Sequence, residues 1–125
     1  MNVYNFWKAV LTQDEQTLRM YFHEDASVNW HCTNEHFSVD EFLIANCEYP
    51  GDWDGKVERL EVLDDLLITV TKVYSKDRSA HFHVVSFIRI ADDKIISMDE
   101  YWADDDVAPQ WRLDKHIGTT IKCQD

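Results

Sequence analysis

One carboxyl and one imidazole, Glu100 and His83, stand out as groups able to exchange protons if the chain folds them together. The segments Ser79 to Ile90 and Lys94 to Ala103 read as two strands of a hairpin around Asp92-Asp93. If Asp92-Asp93 is a two-residue turn, Ala91 pairs with Lys94. Antiparallel pairing then sets Phe87 opposite Met98, Val85 opposite Glu100, and His83 opposite Trp102, all on one face. The other face would carry Phe82, Val84, Ser86, Ile88, Ser97, Asp99 and Tyr101. A one-residue slip would exchange Glu100 for Asp99. The bulky stripe Ile96, Met98 and Trp102 favours Glu100 inward.

A carboxyl enclosed by such side chains loses hydration of its charged form, and its pKa rises from about 4.3 toward neutrality. It can then act as a general acid or base near pH 7, with His83 orienting it or taking the second proton. Trp30, Tyr49, Trp53 and Trp102 would supply flat apolar walls for a small hydrophobic ligand. The competing structural reading makes Glu100 a buried hydrogen-bonding group or a partner of Arg112, and the aromatics ordinary core.

Other chemistry is weaker. His81 and His83 point the same way on a strand, but no third ligand stands at a telling distance, so no metal site is expected. His31 and His36 flank Asn34-Glu35 and read as loop groups or as minor contacts to a ligand. Asp104-Asp105-Asp106 lacks the glycine of a calcium loop. No GxSxG elbow occurs, and no basic neighbour in sequence activates Cys32 or Cys47.

Composition narrows the classes further. The 125 residues carry 12 Lys+Arg against 24 Asp+Glu, a net charge of −12, which disfavours nucleic acid and anionic membranes as partners. A 45% hydrophobic content supports a folded core, and only 3 Gly and 2 Pro leave no phosphate-cradling loop or flexible linker. The cysteines Cys32, Cys47 and Cys123 form no CxxC pair, as expected of free thiols in a reducing cytoplasm. No secretory signal is visible, and apolar runs such as Phe42 to Ala45 are far shorter than the ~20 residues of a membrane span.

The elements that must position these groups follow from periodicity. Val3, Phe6, Trp7, Val10 and Leu11 form a helical stripe. Thr12-Gln13-Asp14-Glu15 reads as a capping box opening a second helix, and His23-Glu24-Asp25 as its end. Ala26 to Thr33 alternates as a strand. Ser38-Val39-Asp40-Glu41 is a second capping box, opening a helix to Cys47. Strands Lys56 to Leu63 and Leu66 to Tyr74 follow, then the pair above, and Ala108 to Arg112 should pack back over the sheet. Helices gathered early and antiparallel strands late predict an α+β domain over 1–118, with a tail over 119–125.

This order resembles the SnoaL-like branch of the nuclear transport factor 2-like superfamily. The resemblance lies in the stretches Phe22 to Trp30, Phe37 to Phe42 and Lys94 to Trp102. It implies a cone: a curved antiparallel sheet wrapped around N-terminal helices, open at one end, in a homodimer built through the sheet's outer face. It also implies a small hydrophobic ligand, no organic cofactor, and the acidic and histidine roles of SnoaL-like cyclases at Glu100 and His83. The activity implied is cofactor-independent proton transfer of the isomerase, cyclase or hydrolase type, or else non-catalytic binding of a ligand or protein.

Overall fold

The computed structural model describes residues 1–121, so the expected 119–125 tail and Cys123 lie partly or wholly outside the described residues. In chain order the elements are α1 (Val3–Thr12), α2 (Glu15–Arg19), β1 (Phe22–Trp30), β2 (Glu35–Ser38), α3 (Val39–Cys47), β3 (Trp53–Leu63), β4 (Leu66–Ser75), β5 (His81–Ala91), β6 (Lys94–Asp104) and α4 (Gln110–Asp114). The fold is α+β: the strands form one curved, unclosed sheet, ordered β2-β1-β6-β5-β4-β3, with the N-terminal helices against its inner face. The core joins Val3, Phe6, Trp7 and Val10 of α1 and Phe42 and Leu43 of α3 to Val28, Val84, Ile88 and Met98 of the sheet. Burial of these side chains drives the curvature-filling packing of helix on sheet.

The local chemistry explains most boundaries. The Ser38 capping box is present in both directions, Glu41 N–H to the Ser38 hydroxyl at 3.2 Å and Ser38 N–H to the Glu41 carboxylate at 2.9 Å. The Thr12 box is not. Helix α1 runs through Thr12, whose hydroxyl donates to the Lys8 carbonyl, and Asp14 caps α2 instead by accepting from the Thr17 N–H. The chain reverses between them at Gln13, which adopts the left-handed conformation at φ 55°. Both hairpin turns form without glycine. Asp92 and Asp93 take φ values of 50° and 63°, the signature of a type I′ turn, which Asp tolerates better than most residues.

Four expectations are corrected. His23-Glu24-Asp25 does not interrupt the chain but lies inside β1, and β2 adds a short edge strand. The sheet is not wholly antiparallel, because β1 pairs with β6 in parallel. Residues 108–112 do not pack over the sheet: α4 buries nothing, Trp111 is 57% exposed, and Arg112 lies over the Trp111 ring rather than reaching Glu100.

The fourth correction concerns register. Ala91 does pair with Lys94, but a bulge between Arg89 and Ile90 leaves Ile96 unpaired, so that Ile88, Ser86 and Val84 face Met98, Glu100 and Trp102. One extra residue inverts every β5 side chain beyond it. Val84, Ser86 and Ile88 therefore point inward with no exposure, while His83, Val85 and Phe87 lie on the outer face.

Candidate functional site

Glu100 is held from both sides of β6. In the parallel pair with β1 it faces Trp30, and in the antiparallel pair with β5 it faces Ser86. Trp102, two residues on, shares its face. The Trp30 and Trp102 indole N–H groups donate to Oε1 at 3.0 and 3.3 Å, and the Ser86 hydroxyl lies 2.6 Å from Oε2. Only 2% of Glu100 is exposed. Burial raises its carboxyl pKa above the ordinary value, and the hydrogen bonds from Ser86, Trp102 and Trp30 pull the other way without overcoming it. The polar row continues across the sheet: Ser86 faces Thr69 on β4, and the Trp7 indole donates to the Thr69 hydroxyl at 3.3 Å. Thr71, next on the same face of β4, has a buried hydroxyl with no partner among the described residues.

Above this row lies a cavity of about 350 Å³. Its wall is a run of rings in edge-to-face or tilted contact: Tyr49 to Trp53 at 5.6 Å, Trp53 to Phe82 at 5.8 Å, Phe82 to Trp102 at 6.1 Å and Trp102 to Trp30 at 6.4 Å. Helix α1 and the end of α3 close the other side through Val10, Leu11, Ala45 and Asn46. Gln13 ties those helices together, its amide donating to the carbonyls of Asn46 and Tyr49 at 3.0 and 2.7 Å. Asp104 and Cys32 stand among the lining residues.

The expected site residues divide accordingly. Trp30, Tyr49, Trp53 and Trp102 line the cavity. Glu100 lies behind two of these rings and is not part of the lining, and Met98 is core at 1% exposure. Val85 and Phe87 face outward because of the β6 bulge. So does His83, which cannot partner Glu100: its Nε2 lies 3.0 Å from Glu58 and its Nδ1 2.5 Å from Asp105. Glu58 reaches it from the unpaired position of the β3 bulge between Val57 and Arg59.

Ser86, Phe82 and Asp104 were not among the expected site residues. A lone small hydroxyl in the apolar run Val84 to Ile88 was the available signal for Ser86, legible only in the correct register. His31 and His36 sit on the sheet surface, His31 bonded to Asp99 at 2.7 Å and stacked on Tyr101, His36 bonded to Asn29. No group of three or more His, Cys, Asp or Glu side chains suited to a metal occurs among the described residues. Burial raises the Cys47 thiol pKa, which disfavours its thiolate form.

Comparison with solved structures classifies this arrangement. A protein from Kribbella flavida provisionally named a ketosteroid isomerase superposes with a TM-score of 0.78 at 18% identity, over 95% of this chain and 86% of that one. A nuclear transport factor 2-like protein of unknown function from Burkholderia xenovorans gives 0.74 at 19%, over 92% and 89%. The chain has the nuclear transport factor 2-like cone fold. An LEH-like epoxide hydrolase from M. tuberculosis shares this cone at a TM-score of 0.67 and 14% identity, over 81% of this chain and 79% of that one. No family model and no curated protein sequence matches the chain. At these identities the cone fold is common ground and the chemistry is not. No helix among the described residues is long and apolar enough to cross a membrane.

Proposed function

We propose that this cone domain binds a small, largely apolar molecule in the aromatic cavity. The observation that carries the reading is the unbroken run of five rings walling a space of about 350 Å³, at the lower end of the ~300–1,000 Å³ usual for small-molecule sites. Trp30, Tyr49, Trp53 and Trp102 form the wall, and Glu100 anchors two of the indoles from behind.

A second reading, proton transfer by Glu100, is supported by the raised pKa of a carboxyl immediately behind the cavity wall, and by a fold shared with proteins named for isomerase and epoxide hydrolase activities. It requires the Trp102 ring to turn aside, since Oε1 is covered by two indole donors. Such a reaction would need no organic cofactor. It would also lack His83 as partner.

The test is a panel of small apolar compounds titrated by tryptophan fluorescence, followed by turnover assays on the compounds that bind. Binding without turnover supports the module. Turnover abolished in Glu100→Gln, with binding retained, supports the enzyme. No quenching by any compound overturns both readings.

The same proposal includes a homodimer through the outer face of the sheet, where Val70, Val85 and Phe87 are half-buried and Tyr101 is exposed. It also includes a cytoplasmic setting and no nucleic-acid or membrane partner, in keeping with the net charge of −12.

A further inference from the structure

The polar groups around the cavity have an unusual balance. The indole N–H groups of Trp30 and Trp102 are committed to Glu100, and that of Trp53 donates to the Pro50 carbonyl at 3.2 Å. Both amide protons of Gln13 are used on Asn46 and Tyr49, and the Asn46 amide donates to the Val10 carbonyl and the Cys47 sulfur. The Thr33 hydroxyl donates to Glu35 at 2.7 Å. Apart from the Tyr49 hydroxyl and the Cys32 thiol, the side-chain donors on the wall are therefore spent, while amide oxygens, ring faces and one carboxylate remain. That carboxylate is Asp104, opposite Phe82 in the β5–β6 register, and no side-chain hydrogen bond or ion pair engages it among the described residues. No Lys, Arg or His lines the cavity.

Beyond the Tyr49 hydroxyl, a carbonyl compound or an anion would find mostly acceptors here. A cation finds the reverse. Ring faces attract cations through their quadrupoles, most strongly for tryptophan, and three of the five wall rings are indoles. An indole N–H held by a carboxyl group gains electron density on its ring, so the Glu100 bonds strengthen the Trp30 and Trp102 faces. The net charge of −12 attracts a cation from a distance as well.

We infer that the ligand is an organic cation, an amine or quaternary ammonium carrying an apolar or aromatic body, with its charge between the indole faces and Asp104. This rests on the reading of the cavity as a small-molecule site.

The experiment compares phenyltrimethylammonium, its uncharged isostere tert-butylbenzene and the anion benzenesulfonate. Each is titrated into the full chain by tryptophan fluorescence and calorimetry, up to its solubility limit. The cation should bind about tenfold tighter than the isostere, and the anion weakest of the three. Asp104→Asn, at an exposed position that tolerates change, should weaken the cation about three- to tenfold and leave the isostere unchanged. Equal binding of cation and isostere, or an unchanged ratio in Asp104→Asn, would overturn the cation assignment and leave the apolar site standing. Failure of all three probes would overturn both.

Discussion

Trp30 and Glu100 face each other across the parallel β1–β6 pair, and the indole N–H of one donates to the carboxyl of the other at 3.0 Å. The pair ties the second half of the sheet to the first, 70 residues apart in sequence. It also fixes the orientation of a cavity-lining ring with a group that the cavity itself does not expose. A polar group this deep is tolerated because each oxygen has partners.

Replacing Glu100 separates geometry from charge. In Glu100→Gln the amide oxygen still accepts from Trp30 and Trp102, and the amide nitrogen can donate to Ser86, so the fold should persist. Glu100→Ala strands two indole donors and a hydroxyl and should cost about 3 kcal/mol in chemical denaturation. The pH dependence has a definite sign. The Glu100 pKa is raised above its ordinary value, so its stabilising contribution is complete below that ordinary value and is lost as pH rises through the folded-state one. The wild type should therefore lose ground to Glu100→Gln as pH increases, by at most ~1.4 kcal/mol per pH unit. A difference independent of pH would mean that Glu100 titrates normally.

Gly55 on β3 is required by crowding rather than by turn geometry. A Cβ there would stand 2.3 Å from the Lys72 carbonyl oxygen on β4, a strand backbone atom that cannot swing aside. Gly55→Ala should lower stability by at least about 2 kcal/mol, read from the denaturation midpoint. A neutral effect would place the β3–β4 backbone farther apart than described.

Trp53 bridges Tyr49 and Phe82 at the middle of the cavity wall. Trp53→Ala should weaken any apolar probe about fivefold or more, whereas Trp111→Phe, at an exposed ring outside the cavity, should leave affinity unchanged. Loss of binding in both variants would point to a site elsewhere.

The β5 register makes neighbouring substitutions behave oppositely. Val84→Lys places a charge at a position with no exposure and should unfold the domain. Phe87→Lys on the outer face should leave the monomer folded and shift a dimer toward monomers in sedimentation experiments. A dimer that survives Phe87→Lys and Val85→Lys would place the interface elsewhere.

Local residue chemistry settled much of this architecture in advance. The helical stripe of α1, the Ser38–Glu41 box, the two Asp-Asp hairpins and the shared face of Met98, Glu100 and Trp102 all depend on neighbours a few residues away. Long-range pairing decided the rest. Whether Ile96 is skipped depends on how β6 meets β5 and β1 together, and that one bulge moved His83, Val85 and Phe87 outside and brought Ser86 against Glu100. The parallel β1–β6 pairing that puts Trp30 beside Glu100, and the cavity shared by α1, α3 and the sheet, likewise arise from contacts distant in sequence, to which a period of two or 3.6 residues is blind.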